Sequence, residues 1–168
     1  MPGGLWDDPA PHIKAGENYV VYGPAGGGKT TALKAITWKL WLSGRIKMRG
    51  GAVPRIMHRL KSKEMADYRE RLEAADVLIF DDTDKLLGSR FEVVELFSLA
   101  NEFFARGKSV LVSMNTTPEE LRSQLKSDTY SVPPGWVDSF LSRLMDKAEV
   151  IHLKNIPDYR SPKKVTVI

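Results

Sequence analysis

Gly23-Pro24-Ala25-Gly26-Gly27-Gly28-Lys29-Thr30 stands directly after the apolar run Tyr19-Val20-Val21-Tyr22 and directly before the helix-prone Thr31-Ala32-Leu33-Lys34-Ala35-Ile36. The spacing G-x-x-x-x-G-K-T lets a backbone poor in side chains wrap a polyphosphate with its N–H groups, while the positive end of the following helix faces the same oxygens. It reads as a nucleoside triphosphate site formed by Gly23, Pro24, Ala25, Gly26, Gly27, Gly28, Lys29, Thr30 and Thr31. Lys29 is expected to reach the β- and γ-phosphates, and the Thr30 hydroxyl to hold Mg²⁺. The plain alternative is a glycine turn beside a surface lysine.

A chain of 168 residues is one domain's worth. It contains no cysteine and only three scattered histidines, which removes disulfide frameworks, thiolate zinc sites and cysteine nucleophiles together. Mg²⁺ carried by the nucleotide is the only metal implied. No apolar stretch approaches the roughly 18 residues of a membrane span, and Met1-Pro2-Gly3-Gly4-Leu5-Trp6-Asp7-Asp8 lacks the basic-then-apolar order of a secretory signal. These features predict a cytoplasmic protein with no membrane partner.

The net charge is +4, yet no Asp or Glu occurs between Asn18 and Lys63. Such a basic block is either a solvated face or a phosphate-backbone surface for nucleic acid. The second reading centres on Arg45, Lys47 and Arg49, which would share one face of a short strand. The segment has no aromatic residue, so base stacking is not expected there.

Hydrophobic periodicity predicts a helix over 29–42, with Leu33, Ile36 and Leu40 toward a sheet. Trp38, Trp41 and Leu42 make its other side apolar, which calls for a second layer or a neighbouring subunit. A strand or hairpin is expected over 45–53, a charged helix over 56–75 and an amphipathic helix over 91–105, with Glu92, Glu95 and Glu102 outward. Short helices are expected over 118–126 and 135–145. The runs at 77–80, 109–114 and 149–153 have the continuous apolarity of strands covered on both faces. Strands alternating with helices imply an α/β fold, a five-stranded parallel sheet flanked by helices, with ligands at the carboxyl ends of the strands. The expected division is a short segment at 1–15, a nucleotide-binding core at 16–154 and a tail at 155–168.

Asp81 and Asp82 close the Val77-Leu78-Ile79-Phe80 run, where acids partner a phosphate loop. Asp81 would hold Mg²⁺ and Asp82 would orient or activate the attacking water. Asn115, directly after the 109–114 strand, is either a turn former or an amide beside these acids near the γ-phosphate. Arg143 is either a local partner for Asp138 or Asp146, or a finger that reaches a neighbouring subunit's γ-phosphate. Leu5-Trp6 is placed either in the core or against the nucleotide base.

Phe80-Asp81-Asp82, the stretch from Val112 through Asn115-Thr116-Thr117-Pro118-Glu119-Glu120-Leu121, Phe140-Leu141-Ser142-Arg143-Leu144, Val150-Ile151-His152-Leu153 and Asp158-Tyr159-Arg160 together resemble the AAA+ core of DnaC-type replicative-helicase loaders and of the related IstB-type transposition ATPases. The resemblance runs from about residue 16 to 160. It implies a P-loop AAA+ fold of the ASCE type, with the helical lid reduced or absent here. It further implies ATP as nucleotide, a sensor role for Asn115 and a trans-acting finger role for Arg143. A replicative helicase, single-stranded DNA and head-to-tail copies of the chain are the implied partners, in a bacterial or phage-infected cell. Arg160 lies where the family often has a late arginine. The competing expectations are an IstB-type accessory ATPase, a small P-loop phosphotransferase, and an ATP-gated binding module with little hydrolysis.

Overall fold

The apolar runs lie side by side in one parallel sheet in the computed structural model, which describes residues 8–44, 46–85, 88–126, 132–133 and 135–154. Helix α1 (Ala10–Lys14) leads into β1 (Asn18–Tyr22), and the glycine-rich stretch then opens α2 (Lys29–Leu42). β2 (Met48–Ala52), α3 (Val53–Leu60) and α4 (Met65–Glu73) precede β3 (Val77–Asp81), a 3-10 turn (Thr83–Lys85) and α5 (Arg90–Ala105). β4 (Ser109–Met114), α6 (Pro118–Leu125), α7 (Trp136–Asp146) and β5 (Ala148–His152) complete the order. The five strands run β2-β3-β4-β1-β5, and every neighbouring pair is parallel.

Strand alternation sorts the core into two layers. Tyr19, Val21, Val77 and Leu111 face α1 and α2, where they meet Ile13, Leu33, Ile36 and Leu40. Val20, Leu78, Phe80, Val110 and Val112 face the other way, toward α3, α5, α6 and α7. Phe97 and Phe140 stack there at 4.7 Å between centroids, both fully buried. Burying each such ring contributes about 1.5–3 kcal/mol. β4 is buried along its whole length because strands and helices cover it on every side.

Several expectations are corrected. The helix expected over 56–75 is two helices, because α3 buries a stripe of Val53, Ile56, Met57 and Leu60 that ends at Lys61-Ser62-Lys63-Glu64. There the Ser62 hydroxyl donates to the Arg59 carbonyl at 2.7 Å and competes with helical bonding. Of the strand and the hairpin expected over 45–53, the described residues form the strand: β2 is the parallel edge strand beside β3. Residues 10–14 are helical, and Ala10 and Ile13 are buried against the sheet. Glu92 does not face outward: it is buried and accepts from Lys61 at 2.6 Å. Glu95 is also largely covered and pairs with Arg69. Of the two covers expected for the second side of α2, no second layer is found among the described residues: Trp38 and Trp41 are each about 60% exposed and stack on one another at 5.0 Å.

Candidate nucleotide-binding site

The sheet order sets the site. β4 lies between β1 and β3, so the loop after β1, the acids after β3 and the residues closing β4 emerge side by side at the carboxyl edge. The Gly23 N–H donates to the Met114 carbonyl at 3.3 Å, which ties the loop to β4. A Cβ on Gly23 would lie 2.5 Å from the Leu153 carbonyl oxygen, so the approach of the loop to the end of β5 requires glycine. Gly28 caps α2 in the left-handed region at φ 86°, and the helix begins with Lys29.

Lys29 is buried, and its ammonium donates to the carbonyls of Gly23 and Pro24 at 2.8 and 2.7 Å, which points it along the inside of its own loop. The Thr30 hydroxyl donates to the Asp81 carboxylate at 2.9 Å. These two groups come from elements some fifty residues apart and form a pair of hard oxygen ligands, the donor set that suits Mg²⁺ beside a phosphate chain. Ser113 of β4 donates to Asp81 and accepts from the Asp82 N–H, the latter at 2.9 Å. Asp82 is the only non-glycine residue with positive φ among the described residues, at 58°. Its carboxylate pairs with Lys85 at 2.8 Å. Ala25, Gly26, Lys29, Thr30, Thr31, Asp82, Lys85 and Asn115 line one cleft of about 290 Å³.

Asn115 reaches this cleft, but its amide does not sit on Asp81 or Asp82. Its side chain and backbone N–H both donate to Asp84, the side chain at 2.9 Å and the backbone at 3.0 Å. Sequence reasoning missed Asp84, Lys85 and Ser113. The signal for the first two was present in the acid-rich run Asp81-Asp82-Thr83-Asp84-Lys85, whereas Ser113 needs the β3–β4 register to bring it beside Asp81.

Arg143 is exposed on α7, far from the loop of its own chain. Its carbonyl accepts from Asn18, the first residue of β1, whereas the loop follows Tyr22, the last. Its guanidinium donates to Asn101 at 3.1 Å. The expected local partner Asp138 pairs instead with Arg122 and Lys126, at 3.3 and 2.8 Å. The hydrogen bond from Lys126 holds the Asp138 carboxyl below its usual range.

Arg45, Leu5-Trp6, Arg160 and the tail lie outside the described residues. Lys47 and Arg49 are both exposed, and Arg49 lies on the β2 edge strand. With Arg71 they border a hollow of about 190 Å³. Arg49 and Arg71 also border a second hollow, of about 230 Å³, with Arg59 and Tyr68. Arg59 lies 3.8 Å over the Tyr68 ring. These further basic residues sit on helices, where strand alternation offered no signal.

Residues 10–129 match the family described as the bacterial DnaA ATPase domain. The chain belongs to this family. It is therefore a DnaA-type AAA+ ATPase domain. It is 33% identical over 109 residues to the chromosomal replication initiator protein DnaA of Kosmotoga olearia, which takes in 61% of this chain and 24% of that protein. The DnaA protein of Gluconobacter oxydans is 29% identical over 105 residues, 60% of this chain and 22% of that protein. The chain thus spans about a quarter of the length of these relatives. Among solved structures, AMPPCP-bound DnaA from Aquifex aeolicus has a TM-score of 0.66 at 20% identity, covering 86% of this chain and 43% of that one. The DnaC helicase loader has a TM-score of 0.60 at 18% identity, covering 84% and 81%. The likeness to loaders expected from sequence therefore appears as a shared fold, whereas the family matched by sequence is that of the initiator.

Proposed function

We infer that this DnaA-family chain binds and hydrolyses ATP in replication initiation, and that it assembles head-to-tail on single-stranded DNA to help load or remodel a replicative helicase. The observation that carries the ATPase reading is the 2.9 Å contact between Thr30 and Asp81, which joins the loop of a phosphate site to the acid of a metal site. In this reading Lys29 and N–H groups within residues 25–31 bind the triphosphate, with Gly23 and Pro24 shaping the loop, and Thr30 and Asp81 hold Mg²⁺, which would neutralise charge on the phosphate oxygens when bound. Asp82 takes the proton of the attacking water, and Asn115, held by Asp84, faces the γ-phosphate. Arg143 of a neighbouring copy completes the site, a role supported by its exposure and its position at the opposite edge of the sheet. Residues 16–154 form the working core, with α1 packed against its sheet through Ala10 and Ile13.

The role in replication rests on family membership, and the helicase partner on the fold shared with the DnaC helicase loader. The DnaA structure bound to AMPPCP and single-stranded DNA, also a fold neighbour, supports the DNA partner. The test is ATP turnover with and without single-stranded DNA at several protein concentrations. Lys29→Ala should abolish ATP binding, because it leaves the β- and γ-phosphates without their cation. Unchanged ATP affinity in that variant overturns the site.

A further inference from the structure

Three carboxylates stand at the end of β3, Asp81 as its last residue and Asp82 and Asp84 after it, and two of them are held by residues distant in sequence. Asp81 is held by Thr30 and Ser113, and Asp84 by both the side chain and the backbone of Asn115. Asp82 differs. Its carboxylate is paired with Lys85 at 2.8 Å, three residues on, and the lysine side chain is 55% exposed. The turn between them is firmly set: Thr83 is fully buried with its hydroxyl on the Phe80 carbonyl, and the Lys85 N–H donates to the Asp82 carbonyl at 3.0 Å. A rigid turn thus presents a flexible cation into the cleft that Lys29, Thr30 and Asn115 also line.

An exposed lysine–carboxylate pair is a weak bond, readily exchanged for a better one. A triphosphate in the cleft offers its terminal phosphate, with more negative charge than a single carboxylate, inside a partly enclosed site. We propose that Lys85 is a cation that exchanges partners, resting on Asp82 and moving to the terminal phosphate when a triphosphate binds. The exchange does two things at once. It adds a contact that a diphosphate cannot make, so Lys85 discriminates ATP from ADP. It also frees the Asp82 carboxylate for the attacking water. In the reaction the water oxygen forms its bond to the γ-phosphorus as the bond to the bridging oxygen breaks. The electron pair leaves with the diphosphate, and the proton of the water passes to Asp82.

This proposal rests on the ATP reading of the cleft, and the experiment separates the two. Affinities for ATP and ADP are measured with a fluorescent nucleotide and by competition, on the full chain, for wild type, Lys85→Met and Lys85→Arg. The methionine keeps the apolar stem without the charge, and thermal unfolding checks that each variant is folded. Removal of one charged interaction with phosphate predicts about tenfold weaker ATP binding in Lys85→Met, with ADP affinity close to wild type and the ATP preference largely restored in Lys85→Arg. If wild type binds neither nucleotide, the site itself is misread. If wild type binds ATP and Lys85→Met keeps the same ratio of ATP to ADP affinity, the partner exchange is overturned while the site stands. Faster turnover in Lys85→Met at an unchanged ratio has the same meaning, for Lys85 would then only clamp Asp82.

Discussion

Asp82 combines two demands in one residue, a carboxylate for the proposed chemistry and a left-handed backbone that most side chains resist. Asparagine adopts that backbone readily, so Asp82→Asn should leave stability within about 0.5 kcal/mol and ATP affinity near wild type while removing turnover. Asp82→Ala should lose about 1 kcal/mol in addition, because alanine is strained in the left-handed turn. Chemical denaturation beside a turnover assay checks both. Tyr19 shows a different kind of strain. It is fully buried in β1, and its hydroxyl has no hydrogen-bond partner among the described residues. Burial, and then the nearby carboxylates of Glu149, Glu17 and Asp8, push its pKa well above the usual value near 10. The folded chain therefore keeps a proton that the unfolded chain releases, and stability falls as pH rises above about 10. Tyr19→Phe should flatten that alkaline decline and gain about 1 kcal/mol at neutral pH, read from denaturation curves across pH.

Among the elements, the edge strand β2 and the helices α3 and α4 carry the basic face. If Lys47 and Arg49, with Arg45, bind a single strand, neutralising all three should weaken binding across all sequences and reduce the salt slope by about 0.7 for each phosphate no longer neutralised. Binding identical to wild type in a salt titration would leave a solvated face only. The same region marks where the sequence stops being readable. Strands buried on both faces announce themselves as continuous apolar runs, so 109–114 agrees residue for residue with β4 and the start of α2 follows from Gly28 and Lys29. The break between α3 and α4 shows only as the end of the stripe Val53, Ile56, Met57 and Leu60 at Lys61-Ser62-Lys63-Glu64, charged and polar residues that a continuous exposed helix would equally carry. Glu92 looked like a solvent-facing residue because its partner Lys61 lies on another element, 31 positions away. The catalytic-looking pair Thr30 and Asp81 was foreseeable from motif chemistry, whereas the interactions of Ser113 and Asp84 depend on strand order and register, which no local pattern encodes.

For the molecule as a whole, the proposed finger and the phosphate loop lie at opposite edges of the sheet, separated by the length of β1, on the order of 13 Å. Arg143 therefore acts, in the proposed assembly, on a second copy. Arg143→Ala should keep ATP affinity while losing about a thousandfold in turnover, and wild-type specific activity should rise with protein concentration. Mixing Arg143→Ala with Asp82→Asn should restore part of the activity, because one supplies an intact loop and acid and the other an intact arginine. A mixture that co-assembles yet stays inactive would return Arg143 to a local role on Asn101. The opposed edges also give an array of such chains a direction. An open row always contains one fewer complete junction than it has members, because the last loop in line meets no arginine. Its terminal member would hold nucleotide without hydrolysing it, a built-in difference between the end of the row and its interior that closing the row into a ring would erase.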